Sequence, residues 1–228
     1  MGMEASTKSI SLALTDDTSL RGEMLLNVEA HHSVTLLCLM DILFKQAGYS
    51  VEQVDAIAVG VGPGAFTSLR VGLSTAKGLG LALDKPLMGL STLETLAWGL
   101  CYSQHCICPI LDARKKQVYT ALYRWQENKL VQVLPEQLLE PAQLAGLVST
   151  PVIFTGDAVA AYGDLLAQQL GHKAYFAPVP LRYPRAAWTA QSGLEKFKSG
   201  LQVDAQDLLP VYIRRPEAEE KKHVQRPY

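Results

Sequence analysis

The sequence predicts an α/β protein, and three observations carry that prediction. Residues 56–83 form, in order, a strand of small and β-branched residues, a glycine–proline loop and a segment with helical spacing of apolar residues. The second half of the chain repeats strands followed by a strand–helix–strand unit, which is typical of an α/β lobe. Of the 228 residues, 48% are hydrophobic and 19% are charged, so the chain has ordinary globular composition and can bury a sizeable core.

Turn residues and the spacing of apolar residues predict the elements of the first half. Strands are expected over residues 9–15, 23–29 and 55–61 and in a short segment up to Leu90, and helices over 33–46, 66–83 and 92–102. Gly48 is placed to end the first helix, because glycine readily adopts the left-handed backbone of a helix C-terminus. We assign these elements to an N-terminal lobe, residues 1–103.

The second half is predicted in the same way. Strands are expected over residues 106–111, 117–125, 129–134 and 152–155, and helices over 141–148 and 158–170. Glu127 and Asn128 form the predicted turn between the second and third of these strands. We assign residues 104–214 to a C-terminal lobe. Residues 215–228 are expected to be a flexible tail, because a run of charged residues follows Pro216.

Net charge and cysteine content limit the class of protein. The formal charge is −1, so no global basic field attracts nucleic acid, and any RNA contact must be local or made by a partner. A modest group of cations near the end of the chain could be solvated or could touch RNA: Arg214, Arg215, Lys221, Lys222 and Arg226. Neither a charged leader nor an apolar run of 18 residues is present, so we expect a cytoplasmic protein without a membrane anchor.

The four cysteines are expected to be free thiols used as small core residues, which agrees with a reducing compartment. They are Cys38, Cys101, Cys106 and Cys108. Zinc binding near His105 is the alternative, but a zinc site needs paired ligands and no second cluster follows. The adjacent His31 and His32 could be ligands or bases, although they point to different sides of a helix start, which favours capping and surface roles. No metal site is predicted.

The glycine–proline loop admits two interpretations. Glycines at a strand end and the free amides of the following helix attract phosphate, with Gly62, Gly64, Thr67 and Arg70 as the possible nucleotide or anion site. The alternative is a tight turn that needs glycine only for its geometry. The loop lacks the Gly-Lys-Ser/Thr of a Walker motif. No ordered Ser–His–Asp trio is present either, so no catalytic residue is predicted.

Two helices indicate contact with another protein. Small residues recur along 66–83, either to admit a partner's backbone or to pack within the chain. Apolar residues cover most of the circumference of 33–46, whereas a helix on one sheet in water should be apolar on one face only. Burial on two sides is therefore expected, and a second protein is the simplest source of the second side.

Several motifs together resemble the bacterial TsaB family, also called YeaZ. They are Gly62 to Gly72, Ala76 to Leu79, Glu4 to Thr7, His32-Ser33, Asp112-Ala113-Arg114, Val118-Tyr119, Thr155-Gly156-Asp157 and Pro210 to Arg214. The resemblance runs in order from residue 1 to about 214. Only three residues precede Glu4, so the first strand is expected to be shorter than in the family.

The resemblance implies a two-lobed actin-like fold (ASKHA, ribonuclease H-like), with mixed sheets flanked by helices. It also implies membership of the complex that forms N6-threonylcarbamoyladenosine at position 37 of tRNA. In that complex TsaD transfers the group, TsaE is also required, and TsaB is the partner of TsaD, forms a homodimer without it, and meets tRNA indirectly. The predicted partner-interface residues are His32, Leu36, Leu39, Met40, Leu43, Ser68, Leu69, Gly72, Leu73, Thr75 and Ala76.

The resemblance also implies that this chain is not the enzyme. Thr92 and Leu96 stand where the catalytic relative has its metal-binding histidines, and neither residue replaces an imidazole ligand. Glu4 to Thr7 and Asp112 to Arg114 occupy phosphate-loop positions without their usual glycines. We therefore expect a scaffold without a cofactor of its own, with a nucleotide at the subunit junction as a possibility. A metal-dependent peptidase and an ATP-binding enzyme of the actin superfamily are the alternatives.

Overall fold

Two five-stranded mixed sheets, each flanked by helices, form the protein. The structure is a computed structural model and describes residues 1–27 and 32–214. The first sheet has the strand order β3-β2-β1-β4-β5, and the second has the order β10-β9-β6-β7-β8. Within the described residues no helix is long and apolar enough to cross a bilayer.

The first sheet is built around a short central strand. Its strands are β1 (Gly2–Glu4), β2 (Ser9–Thr15), β3 (Leu20–Asn27), β4 (Ile57–Gly62) and β5 (Leu87–Ser91). β1 is only three residues long, as expected, yet it pairs antiparallel with β2 and parallel with β4. Side chains alternate across β4: Ile57 and Val59 join one core and Ala58 another, so helices must cover both faces.

Those helices come from both ends of the chain. They are α1 (His32–Ala47), α2 (Phe66–Leu83), α3 (Thr92–Trp98) and, much later, α6 (Ala186–Lys198). α1 and α2 share the larger core with the face of Ile57, and α6 packs on the face of Ala58. α2 agrees with its predicted limits, and α3 ends at Trp98 rather than near residue 102.

The second sheet matches the predicted order of elements. Its parts are β6 (Cys106–Asp112), β7 (Val118–Gln126), β8 (Lys129–Leu139), α4 (Pro141–Leu147), β9 (Val152–Thr155), α5 (Val159–Leu170) and β10 (Ala174–Phe176). β8 is longer than predicted because irregular pairing with β7 between Thr120 and Leu122 lets the strand continue past Pro135. β10 and α6 were not predicted.

The last described segment returns to the first sheet. α6 lies so close to β4 that a side chain at Gly193 would overlap Ala58. Further on, Val203 pairs with Leu87, and the Val211 amide donates to the carbonyl of Val61 at 2.8 Å. The lobe limits 1–103 and 104–214 stay a prediction, but residues 186–212 clearly pack on the first sheet as well. The predicted tail, 215–228, lies outside the described residues.

The cysteines are only partly core residues. Cys106 and Cys108 are buried, and burial raises the pKa of the Cys108 thiol to about 12. Cys101 is half-buried. Cys38 is exposed on α1, so its assignment to the core was wrong: it lies on the side of the helix that faces away from the sheet.

Candidate functional site

α1 exposes an apolar surface although its inner side is fully packed. Val34, Leu37 and Ile42 are 63%, 56% and 44% exposed, and Cys38 lies among them. On the neighbouring α2, Ser74, Gly78 and Leu81 also face outward, and Leu81 is 60% exposed. We call these seven residues the outer helix face. Clustered exposed apolar side chains of this kind mark interaction sites more often than isolated ones do.

Most residues predicted to contact a partner lie on the opposite, inner side. Leu36, Leu39, Met40, Leu43, Leu69, Gly72, Leu73 and Ala76 are all buried by the chain's own sheet. Contact by α1 and α2 stays a prediction, and these eight residues are buried in the free chain. Ser68 and Thr75 are half-buried, and the side chain of His32 is not described. The nine apolar residues around α1 do not by themselves indicate which side of the helix meets the sheet.

The glycines of α2 separate into two groups. Gly72 and Gly80 approach the chain's own atoms: an added Cβ would lie 3.1 Å from the Ala5 Cβ and 3.0 Å from a Leu87 methyl, respectively. Gly78 has no neighbour within 4 Å of such a Cβ. Internal packing thus accounts for two of the glycines. The helix cost of Gly78, about 1 kcal/mol relative to alanine, is not offset within the described chain.

The glycine–proline loop is used for packing between segments. Gly62 has a φ of +109°, a conformation that favours glycine, and an added Cβ would lie 2.8 Å from the carbonyl oxygen of Val211. The Ala65 amide, which precedes α2, donates to the Ser6 carbonyl, and a side chain at Gly64 would overlap that carbonyl. These contacts support the tight-turn interpretation. Anion binding here stays a prediction.

Two residues predicted for that anion site lie near the outer helix face. Thr67 is exposed at the start of α2. The Arg70 guanidinium lies 3.8 Å from the centre of the Phe66 ring, and its Nε donates to the Tyr212 hydroxyl at 3.2 Å. A cation–π contact and a hydrogen bond thereby orient Arg70.

A buried carboxyl group lies at the end of the central strand β1. Glu4 is fully buried, and its Oε1 accepts hydrogen bonds from the amide and the hydroxyl of Ser6. Its Oε2 has no partner among the described residues. Desolvation raises the pKa of Glu4, and the hydrogen bonds from Ser6 oppose that effect. Sequence reasoning recognised Glu4 as part of a motif but not as a buried group.

Thr92 and Leu96 do not fit a metal ion. The Thr92 hydroxyl donates to the Ser6 hydroxyl at 2.7 Å, and Leu96 is buried in an apolar cluster. In the described parts of the chain, His, Cys, Asp and Glu side chains form no group that could hold a metal. Neither Thr92 nor Leu96 therefore offers a ligand suited to a transition metal.

Acidic and basic side chains lie side by side at the end of β6. The Asp112 amide donates to Asp157 Oδ1 at 3.0 Å, and burial followed by the nearby Asp112 charge raises the pKa of Asp157 despite that bond. Next to Asp112, the turn between β6 and β7 exposes Arg114, Lys115 and Lys116. All three have positive φ, which costs roughly 1–2 kcal/mol for a residue with a side chain.

A second carboxyl cluster links the two sheets and was not predicted. Glu136 on β8 accepts hydrogen bonds from the hydroxyls of Ser91 and Tyr123. Burial raises the pKa of Glu136, so the fold favours its neutral form. Ser91 also caps α3 by accepting from the amides of Leu93 and Glu94. These hydrogen bonds join β5 of the first sheet to β8 of the second, which is a structural role.

Comparison with known proteins gives a consistent family. The sequence model of the family described as "TsaD: tRNA N6-adenosine threonylcarbamoyltransferase" matches residues 26–222. The tRNA threonylcarbamoyladenosine biosynthesis protein TsaB of Bacillus subtilis (strain 168) is 30% identical over 224 residues, which cover 97% of this chain and 96% of the relative.

Solved structures agree with that result. YeaZ from Pseudomonas aeruginosa superposes with a TM-score of 0.79 at 26% identity, covering 92% of this chain and 97% of YeaZ. The ROK hexokinase from Thermus thermophilus superposes with a TM-score of 0.50 at 12% identity, covering 87% and 99% of the two chains. This second likeness concerns the fold alone and confirms the predicted actin-like architecture.

Proposed function

The chain belongs to the TsaB family, whose members take part in tRNA threonylcarbamoyladenosine biosynthesis, and on that premise we propose that it is a non-catalytic scaffold that binds TsaD. The outer helix face is the observation that carries the proposal. Val34, Leu37 and Leu81 expose apolar surface on two adjacent helices of one lobe. Burying such surface yields about 25 cal/mol per Å², enough for a stable complex when a partner covers both helices.

Gly78 supports close approach of a partner helix. Ser74 and Gly78 lie one turn apart on the exposed side of α2, and the space above Gly78 is open. Small residues at this spacing let the backbone of a facing helix come near and increase van der Waals contact. The same face would pair with a second copy when TsaD is missing, and TsaE would join the assembled pair.

The surroundings of Ser6, Thr92 and Leu96 support a scaffold without chemistry of its own. Thr92 and Leu96 offer no metal ligands, and Ser6 is already engaged with Glu4 and Thr92. The same observations argue against the metal-dependent peptidase. We expect a nucleotide to be held only where a partner adds contacts, because the carboxyl groups of Asp112 and Asp157 lie beside the basic turn between β6 and β7.

Leu37→Glu tests the docking surface. Leu37 is more than half exposed, so a glutamate there leaves the fold intact in the free chain but places an unpaired charge in the proposed interface. We expect co-elution with TsaD on a sizing column to be lost, with affinity reduced at least about 100-fold, since burying an unpaired charge costs about 3 kcal/mol or more.

Leu147→Glu is the matched control. Leu147 is 53% exposed on α4, which packs in the other core, and its replacement should leave TsaD binding unchanged. Leu36→Glu is unsuitable, because Leu36 is fully buried and its replacement unfolds the chain. The proposal fails if wild-type chain and TsaD do not co-elute, or if Leu37→Glu and Leu147→Glu behave alike while both remain folded by circular dichroism.

A further inference from the structure

The turn between β6 and β7 closes its hairpin with a strained backbone. Arg114, Lys115 and Lys116 have φ values of 60°, 52° and 60°. The Gln117 amide donates to the Arg114 carbonyl at 3.0 Å, which makes Lys115 and Lys116 the central residues of a turn that favours Asn and Gly. Backbone strain of this kind persists where the residues serve a function, and here the three strained residues are all basic and exposed.

The base of this turn is held from outside the hairpin. The Arg214 guanidinium donates to the Ala113 carbonyl and to Gln117 Oε1, so it is hydrogen-bonded to both ends of the turn. The segment that carries Arg214 is itself anchored, because the Val211 amide bonds to β4. The three cations are therefore presented on a preorganised tip, which lowers the ordering cost of binding.

The charges around the turn select an extended polyanion. Asp112 and Asp157 lie next to each other at the base of the turn, so a small anion that reaches this base meets carboxyl groups. Arg114 lies 3.6 Å from Asp112 but is three-quarters exposed, so that ion pair is weak and does not consume the cation. An anion that passes outside the tip meets the exposed cations Arg114 and Lys116 in close succession, which suits the regularly spaced phosphates of a nucleic acid.

We propose that the tip formed by Arg114, Lys115 and Lys116 binds the phosphate backbone of RNA, so that this chain contacts tRNA directly. The choice of RNA over other polyanions rests on the proposed role in tRNA modification. Contacts to phosphate position a nucleic acid without reading its sequence, and the tip has no aromatic side chain for stacking on bases. The tip holds the RNA in place while the partner subunit acts on it.

The test is fluorescence anisotropy of a labelled, unmodified tRNA transcript with the full chain at several salt concentrations. Arg114→Ala/Lys116→Ala should weaken binding about tenfold at low salt and reduce the slope of log K against log salt by about 1.5 to 2, which corresponds to two lost phosphate contacts. Arg124→Ala/Lys129→Ala removes the same two charges from exposed positions elsewhere on the second sheet and should change binding less than twofold.

A second variant separates function from fold. Lys115→Asn/Lys116→Gly supplies the residues that this turn prefers, so it should raise the melting temperature while it weakens RNA binding. A purely structural turn would gain stability with unchanged RNA binding, and that result would overturn the proposal. Absence of RNA binding by the wild-type chain, or equal losses in the two charge-matched double variants, would also overturn it.

Two further measurements identify the ligand and distinguish this proposal from the proposed scaffold role. A polyglutamate peptide should not compete with tRNA at equal charge concentration; if it competes fully, the tip recognises an acidic peptide and the RNA assignment is wrong. Arg114→Ala/Lys116→Ala should still co-elute with TsaD, whereas Leu37→Glu should lose TsaD and keep RNA binding. Failure of one proposal therefore leaves a distinct signature from failure of the other.

Discussion

Leu36 and Leu37 are adjacent leucines with opposite environments. Leu36 is fully buried in the first core, and Leu37 is 56% exposed on the outer helix face. One step along a helix turns a side chain by about 100°, which is enough to move it from the sheet to the surface. The chemical type of a residue therefore does not decide whether it serves stability or docking. Its position relative to the sheet decides it.

Glu4 is fully buried, and its ionisation destabilises the folded state. Its carboxyl lies against Gly60, where an added Cβ would overlap it, so the strand itself is shaped to admit the group. Its Oε1 accepts hydrogen bonds from the amide and the hydroxyl of Ser6, and desolvation raises the pKa above its ordinary value of 4.5. The folded chain thus holds this proton more tightly than the unfolded chain does.

That difference predicts how stability depends on pH. Because the folded state binds more protons between pH 4.5 and the raised pKa, the contribution of Glu4 to the free energy of unfolding falls as the pH rises through this window. Glu4→Gln keeps an acceptor for Ser6 and cannot ionise. We expect urea unfolding to show Glu4→Gln gaining relative to the wild type from pH 4.5 upward, by about 1.4 kcal/mol for each tenfold change in proton affinity.

The comparison of the two chains is needed because other acids act in the same direction. Burial also raises the pKa values of Glu136 and Asp157, so the wild type alone would not report on Glu4. These groups are common to both chains and cancel in the difference. A free-energy difference that stays constant between pH 4.5 and 8 would show that Glu4 has the same proton affinity in the folded and unfolded states.

At the scale of the helix, Gly78 is the position where stability and docking should diverge. Gly78→Ala fills open space on the exposed side of α2, so the free chain should gain about 1 kcal/mol from helix propensity. The added methyl group should weaken association with TsaD if a partner helix approaches there. Gly80→Ala is the contrast, because its Cβ would meet Leu87, Lys85 and Ala205 at 3.0 to 3.2 Å.

Denaturant unfolding of the free chain and a sizing-column titration with TsaD measure the two effects separately. If Gly78→Ala does not stabilise the free chain, the helix cost of this glycine is already offset by contacts beyond the described residues. If it stabilises the chain and leaves TsaD binding unchanged, no partner backbone lies close to α2 at this point, and the outer helix face must be centred on α1.

Elements bounded by glycine or proline could be predicted closely from the sequence. α2 lies between the glycine–proline loop and Lys85-Pro86, and its limits agree with the prediction. The turn at Glu127 and Asn128 was also confirmed, with both residues at positive φ. α6 was missed because its buried side consists of small residues, among them Ala190 and Gly193, where a helical pattern of large apolar residues would have been visible.

The candidate site was predictable only in part. The excess of apolar residues on α1 correctly indicated surface beyond what one sheet can cover, but the direction of the helix depends on tertiary packing that no local pattern records. The residues chosen for the interface were therefore mostly those of the core. The basic turn was missed for another reason: only Arg114 was noted, as part of a family motif, and the residue types of Arg114, Lys115 and Lys116 do not predict their left-handed backbone.

At the scale of the whole molecule, aromatic and helical contacts join the two sheets. Trp98 on α3 lies 5.6 Å from Trp125 on β7 and 6.4 Å from Trp188 on α6, measured between ring centres. α6 in turn packs on the first sheet through Gly193 and Ala58. Elements from both halves thus meet in one cluster. Lobes connected in this way are expected to unfold together and not one after the other.

Two glycine variants, one in a helix packed on each sheet, test this cooperativity. Gly193→Ala would press a methyl group into Ala58 on β4 and should cost about 1–3 kcal/mol through overpacking. Gly146→Ala on α4 meets open space and should stabilise by up to about 1 kcal/mol. Because the sheets are coupled, each variant should shift the urea midpoints seen by tryptophan fluorescence and by far-UV circular dichroism equally. If Gly193→Ala instead moves the fluorescence transition and leaves a separate dichroism transition in place, the second sheet unfolds independently of the first.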